Sequence, residues 1–583
     1  MKEQEIENNE QVLTAPQNLS SPSGKGRNGR SRKIWKRLGY VFAGILILLL
    51  ACIIYIVNVS DIEAPELQQE NSLLIERTTR SKDFYTLKNN WFRKSNSGLY
   101  ELYVEGDPSE IGIFNGKLTK ELVMRQEDHF SDQINKMIPS DSYRKFLKYF
   151  IGWFNRDLDK NVTEEYKQEI LGVSESASPK YQYLGTNYQR ILNYHAAHDI
   201  GHALQNLALV GCTSFGTWNG KSQDSSMIIG RNFDFYVGDK FAEDKIVAFM
   251  APTKGYKFMT VTWGGFIGAV SGMNEHGLAV TINAAKTKLP YASATPVSLV
   301  TREILQYAKN INEAVEIAKK RQMFVSESFL VASAADHKAV VIEKTPDALD
   351  VYDPNKDFIV CTNHFQSTLL ATTKENKEQV SESASAYRYQ RMMELLKANE
   401  KNTVPKTVEI LRDRHGLKNA DIGMGNEKAI NQLIAHHSIV FEPEKLLVWV
   451  STAPWQLGKY VAYDLKKVFA LKGMKQDQEI SEDSLSIAAD DFLQSKEYAG
   501  FQQFRLFKQR IADGGQISMD SLVASNPQYY HTYVLAGDYL FKKGEFRTAL
   551  AMYKTSLTKE IATYKEKQYV KEQVNLCNEK LNK

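Results

Sequence analysis

Between Leu38 and Val57 the chain carries no charged side chain, and a helix over such a run rises about 30 Å, which matches the hydrocarbon thickness of a bilayer. This predicts a transmembrane signal anchor over residues 34–58. Basic residues crowd its N-terminal side at Arg30, Arg32, Lys33, Lys36 and Arg37, so the preceding tail is expected in the cytoplasm and everything after Asn58 outside it. Residues 1–33 are polar and rich in Asn, Gln, Ser and Gly, the composition of a disordered tail. A cleaved signal peptide would need an apolar region of only about 7 to 15 residues, and this run is too long. Leu49-Leu50-Ala51-Cys52 resembles a lipoprotein box, but the apolar run continues past the cysteine, which makes lipid anchoring at Cys52 the lesser alternative.

Beyond the anchor the pattern comes in blocks. Residues 59–211 read as mainly helical, with amphipathic stretches at 142–154 and 163–171 and a turn at Gly106-Asp107-Pro108. From Ser225 short β-rich runs follow, at residues 227–235, 246–250, 258–263 and 278–284. A helical block at 297–320 precedes strands at 329–334, 339–343 and 358–362. Helices return at 384–398 and 404–412, and residues 438–441 and 446–451 read as closing strands. Strands and helices gathered in blocks instead of alternating suggest a layered α+β domain, assigned to residues 212–470. Residues 476–583 are almost wholly helical and are expected to form a separate C-terminal domain. Within it Ala536, Tyr539, Leu540, Gly544, Phe546, Ala549, Tyr553 and Leu557 fall at the spacing of two antiparallel helices, resembling one tetratricopeptide repeat. A stable stack needs about three repeats, so a helical buttress competes with a partner-binding array.

The 583 residues exceed what one core usually holds. Hydrophobic residues at 43% and charged residues at 24% exclude a mostly disordered chain. A net charge of +4 gives no reason to invoke nucleic acid. The four cysteines, Cys52, Cys212, Cys361 and Cys577, are too few for a disulfide framework. An individual thiol is then worth testing as chemistry, with inert burial the default for Cys361 and Cys577.

The most informative stretch is Gly211-Cys212-Thr213-Ser214-Phe215, followed by Gly230-Arg231-Asn232-Phe233-Asp234. Further motifs are Asn274-Glu275-His276-Gly277-Leu278, Thr362-Asn363-His364-Phe365 and Ser385 through Arg388 to Arg391. Upstream, Gly106-Asp107-Pro108 is joined by Glu110, Gly112 and Gly116. In this order they resemble the acyl-coenzyme A:isopenicillin N acyltransferase family, related to choloylglycine hydrolases and penicillin V acylases among the N-terminal-nucleophile hydrolases. The resemblance covers roughly residues 100 to 465. It implies a four-layer αββα fold, a precursor that cuts itself between Gly211 and Cys212, and amide acyl transfer through a thioester. Its substrate would be a small N-acyl amide, with no metal or organic cofactor required. It also implies that Arg231 favours the thiolate, that Asp234 binds the new α-amino group, that Asn283 contributes an oxyanion donor and Asn363 another side-chain amide of the site, and that Arg388 supports the cysteine.

The chemistry of the residues agrees with that reading. A thiol with an ordinary pKa of about 8.5 is mostly protonated near neutrality and needs a base. If Cys212 becomes a chain terminus, its own α-amino group can take the thiol proton. Gly211 lacks a Cβ and leaves its carbonyl open to the sulfur. Plainer readings remain beside these: Cys212 as an inert thiol, Asn283 and Asn363 as strand-end caps, Arg231 with Asp234 as a surface pair, and Arg388 with Arg391 on a solvated helix face. His276 and His364 receive no catalytic role. His195, His198, Asp199 and His202 lie on one helical face at a spacing that can hold a metal, but the stretch lacks the glutamate of a His-Glu-x-x-His motif. The competing reading is a helix that packs on the nucleophile domain and spends its histidines on hydrogen bonds. The rival to an enzyme is a membrane-anchored binding or assembly protein that recruits a partner through its C-terminal helices.

Overall fold

The computed structural model describes residues 28–204, 211–236, 238–286, 288 and 290–582. The chain divides into two compact units, Met1–Asn58 and Val59–Lys583. In the first, the helix Asn28–Ser60 begins while the sequence is still basic, where a tail was expected up to residue 33. Lys and Arg are good helix formers, so the helix of the apolar run extends backward through them. From Ile34 to Ser60 it is long and apolar enough to cross a membrane. The remainder of the expected tail lies outside the described residues.

Among the described residues the second unit holds two sheets, of eleven and six strands. The larger runs in the order Thr78–Ser81, Phe84–Leu87, Asn90–Lys94, Tyr100–Gly106, Ile246–Pro252, Phe258–Thr262, Ser271–Asn274, Leu278–Ala285, Ser326–Ser333, Lys338–Lys344 and Leu349–Tyr352. The smaller runs Phe358–Cys361, Thr213–Asn219, Ser225–Phe233, His437–Glu442, Leu447–Ser451 and Tyr460–Asp464. Neighbours are antiparallel except Tyr100–Gly106 beside Ile246–Pro252, which are parallel.

Side chains alternate along a strand, and here each face meets a different layer. Tyr103, Phe249, Met259 and Leu330 of the larger sheet share a core with Met227, Ile229, Phe441 and Val450 of the smaller, so the sheets stack face to face. On the outer face of the larger sheet, Leu102, Ala248, Val280 and Phe329 pack against Ile113, Ile170, Val300 and Ile304 from helices. Phe215, Ile228, Val440 and Trp449 on the outer face of the smaller sheet meet Met392, Leu396, Val408 and Leu411. The layers are helix, sheet, sheet, helix. With both faces covered, central strands such as Leu278–Ala285 are buried at every position, and their sequences are near-continuous apolar runs.

Four strands between Thr78 and Gly106 lie in the stretch expected to be mainly helical. Their apolar residues are interleaved with Arg93 and Glu101, which form a buried ion pair at 2.9 Å, so charge hides the pattern. Gly106-Asp107-Pro108 is a helix start: Asp107 and Glu110 form a capping box, with proline at the first turn. The helical block at 297–320 is two helices, Val297–Tyr307 and Ile311–Lys320, because the Asn310 side chain caps the second by accepting from the Glu313 N–H.

In the C-terminal part, the helices Tyr530–Lys542 and Phe546–Ser556 form a hairpin turned by Gly544 at φ +79°. Buried Ala549 and the contact of Gly537 with the Tyr553 ring let them approach closely. Phe501, Leu522, Tyr530 and Leu540 share a core with Leu433, Ala435, Trp455 and Leu457, which precede these helices in the chain.

Candidate active site

Cys212 is buried at the head of the strand Thr213–Asn219. That strand pairs with Ser225–Phe233 in a register that sets Ser214 opposite Arg231. The Arg231 guanidinium donates to the Cys212 Sγ at 3.6 Å, to the Val270 carbonyl at 2.6 Å, and to the Ser271 hydroxyl and the Ile282 carbonyl. It also stacks 4.4 Å above the Phe233 ring. Among the described residues the hydrogen bonds of this fully buried cation go to carbonyls, a hydroxyl and a sulfur.

The other side of the cysteine is held by the helix Ser385–Ala398. Arg388 donates to the Cys212 carbonyl at 2.7 Å, to the Thr213 hydroxyl at 2.8 Å and to Asn363 Oδ1 at 2.7 Å. Asn363 in turn donates to the Ala284 carbonyl at 2.8 Å. Asn283 accepts from the Ser214 hydroxyl at 2.7 Å and donates to the Cys361 carbonyl at 3.1 Å, which ties the two sheets together beside the cysteine.

Asp234 is fully buried, and neither carboxylate oxygen has a hydrogen-bond partner among the described residues. Burial pushes its pKa up to about 7, against the pull of Arg388 and Arg231. Its backbone carbonyl accepts from the Gly211 N–H at 2.9 Å and lies 4.0 Å from the Cys212 Sγ. Burial also drives the Cys212 thiol up to about 11, with Arg231 opposing. Burial thus holds the sulfur as a thiol.

The structure brings Gly211, Cys212, Arg231, Asp234, Asn283, Asn363 and Arg388 into one buried cluster, and it overturns some of the plainer readings. Arg388 and Arg391 are buried, not solvated, because Arg391 pairs with Asp413 at 2.8 Å and its helix packs on the sheet. Arg231 and Asp234 are not a surface pair. Neither asparagine caps a strand end, since both bond across to neighbouring strands or loops. His364, bonded to Thr362 and Ser385, is held neutral by burial at about 4. His276 is an exposed turn residue against Tyr256. His195 bonds the Ile191 carbonyl and accepts from the Ile267 N–H, while His198 pairs with Asp199 at 2.9 Å. The His202 side chain lies outside the described residues.

Sequence reasoning missed several members. Ser271, which receives Arg231, also bonds His437, and His437 bonds His436 at 2.9 Å. Glu327 is fully buried, and neither oxygen has a hydrogen-bond partner among the described residues. Gln432 donates to the Gly211 carbonyl at 2.6 Å. The adjacent His436-His437 pair at the start of a strand was the only local signal among these, and it has no motif spacing.

Fold and site together define a helix–sheet–sheet–helix protein with a buried cysteine at a strand head, facing two arginines and an unpaired carboxylate. Residues 218–453 match the model of the acyl-coenzyme A:6-aminopenicillanic acid acyl-transferase family, the same family that the motifs resemble. The match opens downstream of Gly211 and Cys212 and includes Arg231, Asp234, Asn283, Asn363 and Arg388. An uncharacterized protein of Archaeoglobus fulgidus is 24% identical over 274 residues, 44% of this chain and 45% of that protein. Protein dcd1B of Dictyostelium discoideum is 22% identical, over 44% of this chain and 52% of that protein. The chain spans about half the length of the curated relatives it matches. Among solved structures, an N-acylethanolamine-hydrolyzing acid amidase ortholog of Caenorhabditis elegans aligns with TM-score 0.28 and 20% identity, covering 40% of this chain and 93% of that one. A variant conjugated bile acid hydrolase of Clostridium perfringens aligns with TM-score 0.31 and 13% identity, covering 44% and 93%.

Proposed function

We propose that this protein is a self-cleaving, membrane-anchored amide hydrolase or acyltransferase whose nucleophile is Cys212. The observation that carries this reading is buried Asp234, whose backbone carbonyl accepts from the Gly211 N–H, whose charge acts on the Cys212 thiol, and whose carboxylate has no hydrogen-bond partner among the described residues. An isolated carboxylate in such a place is costly, and the group it lacks is a cation. Scission supplies one, because the new α-ammonium of Cys212 forms beside it. Pairing then draws Asp234 back to its ionised form. The freed amine, when neutral, takes the thiol proton, and Arg231 on the sulfur favours the thiolate.

The thiolate attacks the carbonyl of a small N-acyl amide, the amine leaves with the proton, and water or a second amine resolves the thioester. Arg388 and Asn363 hold the backbone of the nucleophile, while Asn283 fixes the strand behind it. The matched family name supports acyl transfer as the reaction type. The apolar helix after a basic flank supports a single-pass anchor with the catalytic part outside the cytoplasm.

Mass spectrometry of the purified protein tests the reading. Wild type is expected as two chains, the second beginning Cys-Thr-Ser-Phe, and Cys212→Ala as one. An intact wild-type chain would remove the nucleophile assignment. A panel of N-acyl amides, turned over by wild type and not by Cys212→Ala, tests the reaction.

A further inference from the structure

When the Cys212 Sγ adds to the Gly211 carbonyl carbon, a five-membered ring closes and the carbonyl electrons move onto its oxygen. The C–N bond then breaks, the nitrogen takes up the thiol proton, and a Gly211 thioester remains on the sulfur. Water hydrolyses it to the Gly211 carboxylic acid and the free thiol. The charge that must be stabilised develops on the Gly211 oxygen.

That oxygen accepts from Gln432 Nε2 at 2.6 Å. A carbonyl only accepts, so the amide nitrogen must face it. Gln432 is buried, and a Cβ added at Gly211 would land on its carboxamide. Asn283 and Asn363 direct their amides at the Cys361 and Ala284 carbonyls instead.

The segment presenting Gln432 is held by the C-terminal helices. Leu433, next in the chain, is buried in their core. Asn526 clamps the Met424 backbone from both sides, accepting its N–H at 3.1 Å and donating to its carbonyl at 2.8 Å. Asn426 donates to the Glu560 carbonyl at 2.8 Å, and Lys428 pairs with the Glu560 side chain at 2.5 Å.

We propose that Gln432 is the oxyanion donor of precursor self-cleavage and that the C-terminal helices serve this step by holding its loop. This rests on Cys212 being a self-releasing nucleophile. Full-length chain made by cell-free translation into nanodiscs, chased and resolved by mass, gives the rate at which the Cys212-led chain appears. Gln432→Leu is expected to slow it about 100- to 1,000-fold, the loss typical of one oxyanion donor. In Gln432→Glu the carboxylate cannot donate but the protonated acid can, so cleavage is expected to recover as pH falls, which a packing role would not produce. Asn526→Ala, a positioning change, is expected to slow cleavage in wild type and to add little in the Gln432→Leu background. Cooperative melting of the same variants on Cys212→Ala establishes that they fold. Wild type cleaving while Gln432→Leu keeps pace overturns the donor alone. Asn526→Ala slowing both backgrounds equally overturns the brace, and an uncut wild type overturns this inference together with the nucleophile.

Discussion

Asp234 ties the chemistry of the site to the stability of the chain. Its folded pKa of about 7 lies above the ordinary 3.8, so the folded protein binds that proton more tightly than the unfolded chain does. The stability it contributes is full below 3.8 and is lost as pH rises through about 7. In the Cys212→Ala background, Asp234→Asn is expected to flatten the fall in melting temperature across that window. Buried Glu327 and Glu169, also shifted upward, remain in both proteins and cancel in the comparison. A slope identical in the two would mean that Asp234 is ionised throughout. Asn283 carries a different expectation from the oxyanion role that the resemblance implies. It bonds Ser214 and the Cys361 carbonyl at once, so Asn283→Ala is expected to cost about 1–3 kcal/mol of stability besides lowering turnover, checked by denaturant unfolding beside the assay. Cys212, Arg231, Asp234 and Arg388 were legible because each sits in a short local motif. Gln432 was not: it meets Gly211 across 221 residues of chain, and no spacing announces such a contact.

Among the helices, Pro108–Leu118 and Glu164–Ser174 meet backbone to backbone, since a Cβ at Gly112 would strike the Glu169 carbonyl and one at Gly172 would strike Ile113 N. Gly112→Ala is therefore expected to destabilise by about 1–3 kcal/mol, read as a lowered unfolding midpoint. The glycine pattern of this segment was visible in the sequence; its partner helix was not. Arg302 and Glu169 form a fully buried pair at 2.8 Å between a helix on the larger sheet and this upstream segment. Arg302→Leu alone is expected to cost about 3–5 kcal/mol because it strands a buried carboxylate, and Arg302→Leu with Glu169→Leu is expected to recover most of it. Equal losses in the single and double variants would count against that account. The strands between Thr78 and Gly106 escaped sequence reading for the same reason that such pairs exist: once a charged residue is neutralised by a distant partner, its position no longer marks the surface.

For the whole molecule, the unit from Val59 onward holds the layers, the site and the C-terminal helices in one compact body. A chain starting at Val59 is expected to fold and process without detergent, with membrane association lost, as fractionation and mass spectrometry would report. Sequence alone determined the apolar run of the N-terminal helix, the blocks of strand and helix that imply layering, and the motifs around Cys212, because each is written in consecutive or periodically spaced residues. Tertiary structure decided which buried charges find partners, that Asp234 is left without one among the described residues, and that the loop of Gln432 rests on the C-terminal helices. Those outcomes depend on which faces meet after the chain has closed on itself, and burial sets the energy of a charge only once that environment exists.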